Sequence, residues 1–218
     1  DFAGDDRGGD GDVDHLIIHH AGNDQAATNV DEDIWSVLVP EVARSWDGVE
    51  VQAAMLIGEE PDFDSPHLGV WFHEFLHDFG APESYVSGTF PGDNDTKFDL
   101  MGLYGPYQGG VDRDGTQPAH ISGYLKWDFD GNPENGRHGW ITPVEIDAND
   151  IDLAIPAFSK PGDLPPLFKI DLPGTDGKQF FLLENRERDV GAMFDTAIPD
   201  EGLLIWHIDE SIPRSSFT

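Results

Sequence analysis

The run Trp71-Phe72-His73-Glu74-Phe75-Leu76-His77-Asp78-Phe79-Gly80-Ala81-Pro82-Glu83 restricts what this chain can become more than any other segment. Residues four apart share one face of a helix, so His73 and His77 can present both imidazoles to a single metal ion. Glu74, one step round, can address a water bound to that ion. This is the logic of the His-Glu-x-x-His helix of zinc hydrolases. A catalytic zinc takes three protein ligands and keeps a fourth position open. Gly80 can adopt the positive φ that ends a helix and redirects the chain, which makes Glu83 the natural third ligand. The plain alternative for the five-residue motif is a pair of surface or satisfied histidines on an amphipathic helix. The continuation through Gly80 and Glu83 weighs against it.

That continuation has the spacing of the metzincin pattern, with a glutamate where the last histidine usually stands. Met101 follows in Phe98-Asp99-Leu100-Met101-Gly102. Together, HEFLHDFGAPE and FDLMG resemble the immune inhibitor A family of secreted metallopeptidases, in which an acidic residue replaces the third histidine. Other segments are similar to that family in the same order: VDHLIIHHAG from Val13, GTQPAHISGYLKW from Gly115, FFLLENRE from Phe180 and GLLIWHIDES from Gly202. The resemblance spans most of the chain and is most specific in the zinc segment. It implies an α+β fold: a metzincin-like catalytic domain of twisted sheet plus active-site helix, with a β-rich C-terminal portion. The expected organisation is a flexible acidic lead-in over 1–12, the catalytic domain over 13–139, and a truncated β-rich portion over 140–218 packed on it.

The activity implied by the resemblance is that of a secreted zinc endopeptidase acting on polypeptides. Zinc held by His73, His77 and Glu83 would lower the pKa of its water and polarise the scissile carbonyl. Glu74 would take the proton from the attacking water and deliver it to the leaving amine. Met101 would lie beneath the metal as a hydrophobic base without ligating it; as a lone methionine it reads as plain core. A tyrosine just after the methionine stabilises the oxyanion in some metzincins, and Tyr104 is the nearest candidate, although its spacing departs from that pattern. The same comparison makes the strand before the helix the upper rim of the cleft, so Ala54, Met55, Leu56, Ile57 and Gly58 form the candidate substrate-binding strand. An ordinary edge strand is an equal reading of those residues. The competing expectation is a non-catalytic, acidic extracellular module stabilised by calcium, against which the intact Glu74 argues.

With 43 acidic and 12 basic residues, the formal charge of −31 repels nucleic acid and anionic membranes alike. Such an excess often marks disorder. Here 38% apolar residues, with six tryptophans and fourteen phenylalanines, supply more core than a disordered chain carries. The expectation is a folded protein with an acidic, solvated surface, as secreted proteins from high-salt surroundings have, since salt screens self-repulsion. The absence of cysteine excludes disulfides and thiolate zinc sites. No apolar run approaches the length of a membrane span, and the sequence carries no signal for an oligomeric state.

Along the chain, Asp14 to His20 reads as a buried central strand around Leu16-Ile17-Ile18, with His15, His19 and His20 better taken as polar strand-end residues than as ligands. Ile34 to Trp46 fits a short helix or turn, Val49 to Ile57 a second strand, Pro66 to Phe79 the active-site helix and Pro118 to Trp127 another helix. Strand-like runs then follow at Val144 to Ile146, Ile151 to Ile155, Leu167 to Leu172, Gln179 to Glu184 and Gly202 to Ile208. Asp112 and Asp114, and Asp128, Asp130 and Asn132, alternate oxygen-bearing side chains near glycine turns as calcium loops do. Neither group has the full EF-hand spacing, so solvated acidic loops are at least as good a reading. Glu184-Asn185-Arg186 and His207-Ile208-Asp209 point to a buried ionic cluster before calcium, because buried charges need partners.

Overall fold

A computed structural model describes residues 12–13, 15–28, 30–40, 42, 44–46, 48–51, 53–60, 68–84, 97–108, 115–129, 136–147, 153–157, 167–188 and 193–212. In chain order its strands are β1 (Asp12–Val13), β2 (Leu16–Asn23), β3 (Val37–Val39), β4 (Arg44–Trp46), β5 (Val49–Val51), β6 (Ala54–Glu60), β7 (Val144–Glu145), β8 (Phe168–Asp171), β9 (Gln179–Arg186) and β10 (Gly202–Asp209). The helices are α1 (Gln25–Thr28), α2 (Leu68–Asp78) and α3 (Gly123–Trp127). The strands form three sheets, ordered β1-β5-β4, β2-β6-β3 and β10-β9-β8-β7.

The second sheet carries α2. In it β2 runs parallel to β6 and β3 antiparallel. Met55 and Ile57 of β6 meet Val70 of α2 in one buried cluster, with Leu38, Trp71 and Tyr107 packed around it. Alternation along a strand puts Met55 and Ile57 on one face, so this face takes the helix.

Five local expectations change. Leu16 to Ile18 lies on an edge strand, not a central one, and Ile17 and Ile18 are 39% and 43% exposed; the central place goes to β6. Ile34 to Trp46 holds β3 and β4 instead of a helix, both three residues long and too short to show a period. Val49 to Ile57 divides into β5 and β6, which belong to different sheets. Of Pro118 to Trp127 only the last five residues are helical, begun by Ser122, whose side chain accepts from the Leu125 N–H. Residues 153–156 are not strand, and Ala157 makes an isolated bridge to Asn185; Ile151 lies outside the described residues.

In the third sheet β9 alternates in burial without a break. Its inward Phe180 and Leu182 join Ala81, Met101, Ile121, Tyr124, Leu125, Ile141 and Leu167 in the larger core. Side chains from both sides of residue 139 therefore share one core, each fully buried Leu, Phe or Met contributing on the order of 1.5–3 kcal/mol. The inward face continues into charge. Arg186 grips Asp195 with Nε and Nη2 (2.7 and 2.5 Å), and Glu184 receives Lys126 Nζ at 3.1 Å, Arg186 Nη1 at 3.1 Å and Trp206 Nε1 at 2.8 Å. These four charged groups are 0–2% exposed. Burial opposes the ionisation of Glu184, but Lys126 and Arg186 outweigh it and hold the carboxyl down at about 2.

Two glycines, one in α2 and one in the loop it packs on, let main chain meet main chain. A Cβ on Gly69 would stand 1.7 Å from the Pro106 carbonyl oxygen, and one on Gly105 would stand 1.6 Å from the Asp99 carbonyl oxygen. The first turn of α2 thus rests directly on the backbone of the loop that follows Met101.

Candidate metal centre

Helix α2 ends as its sequence requires. Gly80 has φ 95°, the Gly80 N–H donates to the His77 carbonyl at 2.8 Å, and the Ala81 N–H donates to the Leu76 carbonyl at 2.9 Å. This pair of bonds is the Schellman closure, and Leu76 packs against the core cluster to which Ala81 belongs. The chain turns back at once, and Glu83 arrives beside the helix it has just left.

The structure brings His73, His77 and Glu83 together. Nε2 of His73 and Nε2 of His77 are 3.1 Å apart, His77 Nε2 is 3.3 Å from Glu83 Oε1, and His73 Nε2 is 3.5 Å from Glu83 Oε2. One ligand atom from each lies within 4.8 Å of the others, and among the described residues this is the one group of histidine and carboxylate side chains that could hold a metal ion. The spacing suits a small tetrahedral ion, since ligands about 2.0–2.1 Å from zinc stand about 3.3–3.4 Å from one another.

The rest of each ring is also arranged for ligation. His73 Nδ1–H donates to the Leu100 carbonyl at 2.8 Å, and His77 Nδ1–H donates to the Ala81 carbonyl at 2.7 Å. A carbonyl behind each ring fixes the tautomer that points the Nε2 lone pair at the shared point. Burial opposes the charge on Glu83, yet its bonds to His73 and His77 and their charge prevail and bring it to about 2. Burial likewise works against protonation of His73, but Glu83 outweighs it and raises that ring above its ordinary value. The donor set is two imidazoles and an ionised carboxylate, which fits zinc.

Glu74 is buried on the neighbouring side of α2 and accepts from the Leu38 N–H at 2.7 Å. Burial lifts its pKa above the ordinary carboxylate value, only partly offset by His73, His77 and the Leu38 N–H.

Met101 is fully buried, in the core cluster that also holds Ala81. Its turn is built by Asp99, whose Oδ1 accepts from the N–H groups of Met101 (3.1 Å) and Ser122 (2.9 Å). Asp99 Oδ2 accepts from the hydroxyl of Ser84, the residue after Glu83. The Ser84 N–H donates to the Met101 carbonyl at 2.9 Å. The methionine turn and the third-ligand loop are therefore one hydrogen-bonded unit, and the importance of Asp99 had no signal in the sequence beyond its place beside Met101.

Other expected site residues lie elsewhere. Ala54 to Gly58 belongs to β6, which has β2 on one side and β3 on the other, so both edges are taken and it offers no free edge to a substrate. The exposed edge beside Glu74 belongs to β3. Tyr104 is 36% exposed and its carbonyl accepts from Gln108 Nε2. Tyr107 is the tyrosine that feels the site: burial first, then the charges of Asp24, Glu74 and Glu83, raise its pKa well above the phenol range. No motif spacing marks it. Asp112, Asp114, Asp130 and Asn132 lie outside the described residues. Asp128 is buried and accepts from Tyr124 OH (3.2 Å) and Arg137 Nη1 (2.5 Å), whose guanidinium meets its charge. His15 Nδ1 sits 2.5 Å from Asp78 Oδ2 and His19 stacks on Trp71, away from the triad.

Phe72, Phe75 and Leu76 of α2, with Leu100, Trp140 and Phe194 among others, line a cavity of about 170 Å³. Its lining is almost wholly apolar. Among the described residues no helix is long and apolar enough to cross a membrane. No protein-family model, curated protein or solved structure matches the chain.

Proposed function

We propose that this protein is a zinc-dependent endopeptidase with a metzincin-like α+β catalytic domain. The observation that carries the reading is the convergence of the three side chains, with the two Nε2 atoms 3.1 Å apart and the two oxygens of Glu83 at 3.3 and 3.5 Å from them, and with each imidazole anchored from behind by a backbone carbonyl. Zinc in such a site supplies a Lewis acid that polarises a carbonyl and acidifies water. His73, His77 and Glu83 would hold the ion. Glu74 accepts the proton of the attacking water and passes it to the departing amine, and its raised pKa suits a group that must both take and return a proton. Tyr107, kept protonated by its surroundings, is the donor for the oxygen that gains charge at the scissile carbon. The outer edge of β3 is where an extended polypeptide adds as a further strand. The acidic composition supports secretion into a salty medium.

The test is casein cleavage in high salt, with and without a chelator. Cleavage that stops with chelator and returns with zinc supports the reading. Stoichiometric zinc with no cleavage of casein would overturn it in favour of a binding module.

A further inference from the structure

An antiparallel strand directs the N–H and C=O of a given residue to the same side. Leu38 gives its N–H to Glu74 Oε2 at 2.7 Å, and among the described residues β3 is the last strand of its sheet, bonded to β6 along its other side. The outer edge of β3 at Leu38 therefore has one donor and one acceptor, the two groups to which one residue of an added antiparallel strand docks. In the resting protein the donor is already committed to Glu74.

We propose that Glu74 stands in for a substrate carbonyl, holding the Leu38 N–H until an extended peptide docks on β3 and releases the carboxylate by taking its place. This rests on the peptidase reading and adds to it a role for Leu38 as the positioning group of the base. A hydrogen bond to an ionised acceptor is roughly twice as strong as one between neutral groups, so a lone carbonyl competes poorly for the Leu38 N–H. A peptide unit that also donates to the Leu38 carbonyl makes two bonds for the one it breaks. The site thus distinguishes an extended backbone from a small amide or ester that reaches the metal without pairing. Such small molecules find the base still tied.

Two measurements on the full chain test this. The first needs neither metal nor turnover: hydrogen exchange of the Leu38 amide in the parent protein and in Glu74→Ala, each with and without acetylated, amidated penta-alanine. Protection at Leu38 is expected to fall about tenfold or more in Glu74→Ala, the scale of a lost hydrogen bond to a charged group, and to return when the peptide is added. Protection unchanged by Glu74→Ala overturns the proposal. The second uses zinc-loaded protein and a peptide it cleaves, with each carbonyl replaced in turn by a methylene. At one position kcat is expected to fall more than KM rises. In Leu38→Pro, which removes that N–H on an edge strand where proline is tolerated, the same replacement should leave kcat unaltered. Equal kcat losses in the two proteins overturn the proposal. If Leu38→Pro does not fold, the exchange experiment decides. A chain that binds zinc and cleaves nothing sinks the peptidase reading, while the exchange result still reports separately on the bond between Leu38 and Glu74.

Discussion

His73 and His77 face each other across 3.1 Å, Nε2 to Nε2, while the opposite nitrogen of each ring donates to a backbone carbonyl. Two ring nitrogens so placed crowd one point, where a shared cation fits and which Glu83 flanks with its charge.

Removing that charge should weaken the site more than losing a group behind a ligand, which typically costs roughly 10–100-fold in metal affinity. Glu83→Ala is therefore expected to lower zinc affinity by more than that, measured by competition with a chromogenic chelator. Stoichiometric zinc at unchanged affinity would remove Glu83 from the ligand set.

Glu74 contacts the Leu38 N–H and is not among the three grouped ligands. Glu74→Gln keeps its shape and removes its ability to take a proton. Cleavage should fall by about 10²–10⁴-fold while zinc content stays at that of the parent. Cleavage at the parent rate would show that some other group is the base.

Asp99 supports the site without touching it. Its Oδ1 takes the N–H groups of Met101 and Ser122, and both sit in buried surroundings. Asp99→Ala should cost about 1–3 kcal/mol for each donor left without an acceptor, read by urea unfolding. Asp99→Asn, which keeps an acceptor oxygen, should recover much of the loss. An equal loss in Asn and Ala would mean that charge, not hydrogen bonding, is what Asp99 contributes.

The ionic cluster makes stability depend on acid. Glu184 has an ordinary value of 4.5 and is held at about 2 in the fold. A depressed carboxylate contributes stability that is fully present above pH 4.5 and is lost as pH falls from 4.5 toward 2. The linkage amounts to on the order of 3 kcal/mol, so unfolding free energy should drop steeply across that window. Glu184→Gln should flatten the drop and, by leaving Lys126 and Arg186 under-compensated, cost about 3–5 kcal/mol at neutral pH. An unchanged acid profile in that variant would place the titration elsewhere.

The charge of −31 predicts a melting temperature that climbs as sodium chloride approaches molar concentration, where charges are screened over about 3 Å. Differential scanning calorimetry across salt reads this directly. A flat response would show that self-repulsion is not limiting.

Helix α2 was legible because its information is local: the four-residue spacing of His73 and His77 defines a face, and Gly80 states where the helix stops. Glu83 was legible for the same reason, as the turn that delivers it spans only a few residues. Strand order was not. The apolar run at Leu16 to Ile18 and the one at Met55 to Ile57 look alike in sequence, yet one lies at an edge and the other at the centre, because pairing partners are chosen across long separations. The expected free edge on Ala54 to Gly58 fails for the same reason, since a free edge is a property of the neighbours. Tyr107 gave no signal, because distance along the chain from Met101 says little about which ring is buried. The buried cluster of Lys126, Glu184, Arg186 and Asp195 was half visible, as Glu184 and Arg186 share one face of β9 while their partners come from far along the chain.

Where Gly69 lies against Pro106 and Gly105 against Asp99, main chain abuts main chain with no side chain as a spacer. Repacking cannot absorb a change at such a joint, as it can in a core where neighbouring side chains trade volume. In a saturation library, Gly69 and Gly105 should be as intolerant of alanine as the histidines are, for reasons of clearance and not chemistry. Screens that score loss of function alone would place these two glycines among the catalytic positions.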